Sequence, residues 1–245
     1  MPNRASDLVL TRLIAPGYAP GFLTSPAAVA DAALPPGFTL LEVIYGTDFK
    51  GLFGQEVVPY GIVVKEGSSG QVVVAIRGTD SVLEWLEDGW AVPEPWPFAA
   101  TGGRTHKGFT DVYQTLTAGG QPLQGYLEAL GGLIVVTGHS LGAALANLLA
   151  AALGTACRSC TTFEGPRVGD VAFCNWMDDR LAAFWRYVII GDVVPHVPPE
   201  ALGYSHAGTE IELDPAGVIP LTLDPKVYLE SHHQLSSVQE LLSAP

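Results

Sequence analysis

The chain has 245 residues, of which 48% are hydrophobic and 15% are charged, and its formal net charge is −13. This composition excludes a disordered chain, and the length suits a single α/β domain spanning residues 1–245 with a sizeable core. An acidic chain without a basic cluster is not expected to bind nucleic acid.

The predicted elements alternate between strands and helices. In chain order they are helical N-terminal segments, a strand at 38–45, a β-hairpin at 61–79, a helix at 107–116, a strand at 132–137, a helix at 141–153, a strand at 160–165, a helix near 170–183 and a strand at 185–190. The strand at 132–137 is apolar without alternation, which is typical of a strand buried on both faces. This order predicts an α/β fold whose mostly parallel central sheet has helices on both faces.

The N-terminal sequence MPNRASDLVL has no basic region followed by a long apolar one, so it predicts no signal peptide. An uncharged stretch between Glu128 and Arg158 is divided by glycines and by His139. Its helical part would reach about 20 Å, which is short of the roughly 30 Å core of a bilayer. We therefore expect no stable membrane insertion, and the chain is either cytoplasmic or a mature secreted one.

A serine between two glycines stands where the strand at 132–137 gives way to the helix at 141–153. Gly138 and Gly142 lie two residues to either side of Ser140, and they remove side chains that would collide where a strand and a helix pack closely. The helix N terminus supplies partial positive charge and a backbone N–H that favour a developing oxyanion. The pattern indicates that Ser140 is a nucleophile, and the alternative is a glycine-flanked loop serine.

Several ordered blocks of the sequence resemble the class 3 lipases, the filamentous-fungal type of α/β-hydrolases. From about residue 70 onwards they read VVVAIRGTDSVLEWLED, THKGFTDVY, VVTGHSLGAALA, TFEGPRVGD and GDVVPHVPP…GYSHAGTEIEL. The resemblance implies an α/β-hydrolase fold with a short helical lid. It also implies a serine carboxylic ester hydrolase that cleaves acylglycerols or other apolar acyl esters through an acyl-enzyme, without a cofactor.

A catalytic serine needs a base and an orienting acid, which in this fold follow it in the order serine, acid, histidine. Asp192 follows the strand at 185–190 and matches the family's acid. His232 and His233 both come later, but neighbouring side chains cannot both point at Ser140. Apolar residues two and five positions after His233 resemble the family's C-terminal block. We therefore expect His233 to be the base and His232 to be a solvent-facing neighbour.

Two backbone donors are expected in the oxyanion hole. One is the N–H of Leu141, directly after the nucleophile. The other is implied by the resemblance at Thr79 in the sequence RGTDS, where the hydroxyl adds a second donor. A threonine in an ordinary turn is the alternative at this position.

The resemblance also implies a lid over the active site at about residues 81–97. A capping-box pattern opens this segment, and Trp85, Leu86 and Trp90 recur at helical spacing. The apolar face of such a helix would contact either the closed cleft or, transiently, a lipid–water interface. An ordinary packed surface helix is the alternative.

The sequence predicts no metal site, because it has no H-E-x-x-H or comparable pattern. Cys157 and Cys160 form a lone C-x-x-C and are expected to be plain buried or semi-exposed thiols, with half a zinc site or a redox pair as the alternative.

Three alternative functions were weighed against an acylglycerol hydrolase. A feruloyl-type esterase fits the same motifs. A dinucleotide-binding protein does not, because GHSLGA lacks the G-x-G-x-x-G spacing. An inactive binding module is expected to lack a triad member, and none is missing.

Overall fold

The computed structural model describes residues 3–49, 55–79, 92–219 and 225–244. The helices of these residues are α1 (Arg4–Ile14), α2 (Pro26–Ala33), α3 (Lys107–Thr115), α4 (Leu123–Leu130), α5 (Leu141–Leu153), α6 (Val171–Asp178), α7 (Pro225–His233) and α8 (Leu235–Ser243). The strands are β1 (Phe38–Phe49), β2 (Gln55–Glu66), β3 (Val72–Ile76), β4 (Pro93–Pro95), β5 (Arg104–His106), β6 (Thr117–Ala118), β7 (Gln121–Pro122), β8 (Ile134–His139), β9 (Cys157–Phe163), β10 (Gly169–Asp170), β11 (Phe184–Ile189), β12 (Tyr204–Ser205) and β13 (Thr209–Leu213).

Within the described residues, the main sheet has nine strands in the order β13-β11-β9-β8-β3-β2-β1-β6-β7. Neighbouring strands from β13 to β3 run parallel. The strands β1 and β2 add antiparallel pairs beside β3. A smaller sheet has the order β12-β10-β5-β4. The predicted α/β architecture, with a mostly parallel central sheet flanked by helices, is confirmed.

Helices cover both faces of the main sheet because its central strands are apolar on both sides. In β3, Val74 and Ile76 pack into one core with residues of α3, α5 and α6. Val73 and Ala75 of the same strand pack into the other core with residues of α1 and α8. The lack of alternation that predicted a doubly buried strand at 132–137 has the same cause, since Val136 belongs to the first core and Val135 packs against the second.

The predicted element bounds differ from the observed ones mainly at the ends. The helix at 141–153 and the hairpin between β2 and β3 are as predicted. The strand β9 starts at Cys157, three residues early, because Cys157 pairs with Ile134 of β8. The helix α6 ends at Asp178 instead of near residue 183. Beyond it, the N–H groups of Arg180 and Leu181 both donate to the carbonyl of Met177 at 2.9 Å, and Leu181 enters the core.

In the part of the chain that the structure describes, no helix combines the length and apolarity needed to cross a membrane. The thiols of Cys157, Cys160 and Cys174 are all free and buried, as expected of plain thiols. Burial raises the pKa of Cys157 to about 12 and that of Cys160 well above its usual value. High thiol pKa values are the opposite of what a redox or metal-binding cysteine requires.

Most of the predicted lid lies outside the described residues, including Trp85, Leu86 and Trp90. The end of the segment, from residue 92 onwards, is described. Residues 93–95 form the strand β4, which pairs with β5. Trp96 is buried, with its ring 5.5 Å from that of Phe173. The lid helix stays a prediction.

The strand β8 and the helix α5 approach so closely that their backbones touch. A Cβ atom on Gly138 would overlap the carbonyl of Gly142. A Cβ atom on Gly142 would in turn overlap the backbone of Ile76 and Arg77 at the end of β3. Since all these neighbours are backbone atoms, the overlap could be removed only if a strand or the helix moved.

We expect Gly138→Ala to lower the free energy of unfolding by about 1–3 kcal/mol, the usual cost of overpacking. Gly125→Ala in α4 is the matched control, because a Cβ atom there meets no atom within 4 Å. The control is expected to raise the free energy of unfolding by about 0.5–1 kcal/mol, as alanine does in place of glycine within a helix. Denaturant unfolding measures both variants, and equal shifts would show that the contact is not tight.

Candidate active site

Ser140 occupies a strained turn between β8 and α5. Its φ of 59° is in the left-handed region, which costs a residue other than glycine about 1–2 kcal/mol. The turn is held by the N–H of Ser140, which donates to the carbonyl of Phe163 at 3.0 Å, and by the N–H of Ala143, which donates back to Ser140 at 2.9 Å. These bonds fix the serine at the N terminus of α5, beside the ends of β3 and β9.

The structure brings together Ser140, Asp192 and His233 from three distant parts of the chain. The Oγ atom of Ser140 lies 2.8 Å from Nε2 of His233. On the other side of the ring, Nδ1 of His233 lies 2.7 Å from Oδ2 of Asp192. Both contacts are at hydrogen-bond distance and leave the imidazole between a hydroxyl and a carboxylate.

Asp192 is buried on the turn that follows β11. Its Oδ1 atom accepts from the N–H of Val194 at 3.0 Å, while Oδ2 faces His233. Burial raises the pKa of Asp192, but the hydrogen bond to His233 and the other polar neighbours outweigh burial and bring the pKa below its ordinary value. An ionised Asp192 can accept the Nδ1–H of His233 and so hold Nε2 free of a proton toward Ser140.

The prediction that His232 faces solvent is wrong. Its side chain is buried, and its Nδ1–H donates to the carbonyl of Tyr228 at 2.8 Å. The two rings stack with centroids 4.0 Å apart. The reason is helical geometry, because Tyr228 lies four residues before His232 on the same face of α7. His233 points elsewhere, and the apolar residues after it, Leu235 and Val238, are buried in the core.

The loop after β3 contacts the nucleophile directly. A Cβ atom on Gly78 would lie 2.7 Å from Cβ of Ser140, so Thr79 follows a residue that already touches the turn. Arg77 fixes this loop, since its guanidinium donates to the carbonyls of Pro59 at 3.0 Å and of Gly78 at 2.8 Å. Leu141 is the first residue of α5, where an N–H has no acceptor within the helix. Leu141 and the loop that carries Thr79 are therefore next to Ser140, and their part in an oxyanion hole stays a prediction.

A hydrogen-bonded relay that the sequence analysis did not identify joins this loop to the base. The hydroxyl of Tyr18 accepts from the N–H of Gly78 at 2.7 Å and lies 2.6 Å from Nδ1 of His139. The Nε2 atom of His139 lies 2.9 Å from the carbonyl oxygen of His233. A carbonyl only accepts, so Nε2 carries the proton and Nδ1 accepts from Tyr18.

The charge state of His139 agrees with this assignment. Burial, together with the nearby His233, lowers the pKa of His139 to about 3, so the ring is neutral and has one donor and one acceptor nitrogen. Tyr18 lies in the N-terminal part of the chain, where no motif was found. The relay connects residues more than 100 positions apart, which local sequence patterns do not reveal.

A second carboxyl group lies beside the triad. Glu164, Asp192 and His233 each offer a ligand-type atom within 4.8 Å of the others, which is close enough for a shared metal ion. Two ligands of a tetrahedral zinc ion lie about 3.3 Å apart. The 2.7 Å between His233 and Asp192 is instead a hydrogen bond, and the other ring nitrogen already contacts Ser140. The geometry fits proton sharing better than metal binding.

Comparison with known proteins places the chain in a family. Residues 73–202 match the model of the family described as lipase (class 3). A lipase of Rhizomucor miehei is 34% identical over 160 residues, which are 61% of this chain and 43% of that protein. The secreted mono- and diacylglycerol lipase 1 of Fusarium solani is 30% identical over 156 residues, 62% of this chain and 46% of that protein. The matches thus span less than half the length of these curated relatives.

A solved structure extends the similarity to the fold. The lipase from Rhizopus microsporus var. chinensis superposes with a TM-score of 0.66 at 25% identity, over 85% of this chain and 74% of that one. The family match runs from β3 past the loop of Asp192, and therefore includes Thr79, Ser140 and Leu141. Because this match covers more than half of its residues, the chain belongs to the class 3 lipase family.

Proposed function

We propose that this protein is a serine carboxylic ester hydrolase that acts on acylglycerols and other esters of apolar acyl chains. The observation that carries the proposal is the contact series from Ser140 to His233 to Asp192, at 2.8 and 2.7 Å. A nucleophile, a base and an orienting acid in hydrogen-bond contact are the minimum that acyl transfer by a serine requires. The family membership supports the same reaction.

Each residue has a defined part in the proposed reaction. Oγ of Ser140 attacks the ester carbonyl carbon while Nε2 of His233 accepts the hydroxyl proton. The resulting oxyanion accepts hydrogen bonds from Leu141 and Thr79. Collapse expels the alcohol, which takes the proton from His233 and leaves an acyl group on Ser140. Water then attacks this acyl-enzyme while His233 accepts its proton. The bond between the acyl carbon and Oγ breaks, the carboxylic acid leaves, and the proton passes from His233 to Ser140. Asp192 orients and stabilises the charged imidazole throughout.

An apolar rim beside the site supports an acyl substrate. Ile190 and Val193 lie on either side of Asp192 in the sequence and are 48% and 37% exposed, so they offer apolar surface next to the acid of the triad. The predicted lid would add Trp85, Leu86 and Trp90 to this surface and bring it to a lipid–water interface during turnover. The Fusarium relative is named for mono- and diacylglycerols. We propose the same class of substrate here, with feruloyl esters as the alternative.

Hydrolysis assays test the proposed function. We expect emulsified mono- and diacylglycerols and long-chain 4-nitrophenyl esters to be hydrolysed faster than methyl ferulate. Ser140→Ala should fold normally and lose several orders of magnitude in kcat, which leaves roughly 10³ over water from binding and the oxyanion hole. Faster turnover of methyl ferulate would favour the feruloyl esterase. Near-normal turnover by Ser140→Ala would contradict the mechanism.

The relay through Tyr18 yields a second expectation for the same reaction. Tyr18→Phe removes the acceptor for Gly78 and the donor to His139. Small displacements of catalytic groups are costly, so we expect kcat to fall about tenfold with little change in KM. Tyr126→Phe, a half-buried tyrosine of α4, is the control and should keep the kcat of the wild type. Equal kcat for the two variants would show that the relay does not position the site.

A further inference from the structure

Glu164 is a fully buried residue without a part in the mechanism described so far. It follows β9 directly, next to Phe163, and its φ of 50° is left-handed. Its N–H donates to the carbonyl of Tyr187 at 3.0 Å, and its Oε1 accepts from the N–H of Ile189 at 2.7 Å. Glu164 is thus bound to β11, the strand that leads to Asp192, through both its backbone and its side chain.

The second carboxylate oxygen of Glu164 faces another acceptor. Oε2 is buried and no N–H or O–H group of the described residues donates to it. The nearest ionisable groups are Asp192 and His233, which lie with Glu164 in one cluster of ligand-type atoms within 4.8 Å. Two buried carboxylates cannot both be ionised at this distance without strong repulsion, so one of them holds a proton.

The proton belongs on Glu164. Asp192 already accepts from His233 and from the N–H of Val194, two donors that favour its ionised form. Glu164 accepts from the N–H of Ile189, its one donor among the residues that the structure describes. Burial raises the pKa of Glu164 well above its ordinary value, and its hydrogen bond to Asp192 and the charge of Asp192 raise it further.

We propose that Glu164 is a positioning residue, whose protonated carboxyl donates a hydrogen bond to Asp192 and so holds the pair of Asp192 and His233 in line with Ser140. The titratable groups around it are Asp192 after β11, His233 at the end of α7 and, beyond them, the neutral His139 of β8. The kinetic part of this inference rests on the proposed function. The claim that Glu164 is protonated in the folded protein does not depend on the proposed function.

Unfolding measured against pH tests the protonation. Glu164 keeps its proton in the folded protein and releases it on unfolding at any pH above the ordinary glutamate value of about 4.3. Stability is therefore full below about pH 4.3 and falls as the pH rises toward the raised folded pKa. Glu164→Gln keeps the shape and a donor but cannot ionise. The ratio of the unfolding constants, wild type over variant, should rise about tenfold per pH unit within this window.

A ratio that stays constant with pH would show that Glu164 is ionised in the folded protein and would overturn the proposal. This measurement needs no substrate. If neither protein hydrolysed any ester, the proposed function would fail while the protonation of Glu164 would still be decided.

Kinetics of three variants test the positioning. Glu164→Gln should keep kcat within about threefold of the wild type, because its amide donates to Asp192 in place of the carboxyl. Glu164→Met has a similar volume without a donor and should lose about tenfold or more in kcat at an unchanged KM. Glu164→Gly suits the left-handed backbone and should lose as much, which separates the hydrogen bond from backbone strain. Wild-type kcat in Glu164→Gly, or a loss in Glu164→Gln equal to that in Glu164→Met, would overturn the proposal.

Discussion

The backbone contact between β8 and α5 is the constraint on which the rest of the site depends. It needs glycine at positions 138 and 142, and it forces Ser140 into a left-handed conformation at the helix N terminus. The strands β3, β8, β9 and β11 are parallel neighbours, so their carboxyl ends meet at one edge of the sheet. The residues that follow these four ends are Gly78 and Thr79, Ser140, Glu164, and Asp192.

The ionisable groups at this edge of the sheet are buried and share protons through hydrogen bonds, so few of them are charged. Asp192 carries the negative charge, His139 is neutral, and the proposed proton on Glu164 removes a second charge that burial would make costly. Hydrogen bonds in such a network strengthen one another and fix the orientation of every member. The same network joins the oxyanion loop through Tyr18 and His139 to the backbone of His233. The network therefore holds Ser140, His233 and the loop of Gly78 in fixed positions relative to one another.

The sequence was sufficient for the features that depend on local pattern. Glycine spacing around Ser140 predicted the turn, alternation of strands and helices predicted the fold, and the apolar residues after His233 distinguished it from His232. Features that depend on contacts between distant segments were missed. Tyr18 is an example, because it had no motif around it. The burial of His232 was missed for another reason: it depends on stacking against Tyr228 one helical turn earlier, and no helix was predicted at residues 225–233. Glu164 lay within the predicted strand at 160–165, next to Gly165, and nothing local indicated that the glutamate itself has the left-handed backbone.

The central claim is that His233 makes Ser140 a nucleophile, and the rate of covalent labelling tests it most directly. The protein is treated with a fluorophosphonate, and the adduct is located and timed by mass spectrometry in wild type, His233→Ala and His232→Ala. The account predicts one adduct on Ser140, with similar rates in wild type and His232→Ala and a rate lower by about 10³ or more in His233→Ala. An adduct on another residue, or labelling of His233→Ala as fast as wild type, would contradict it.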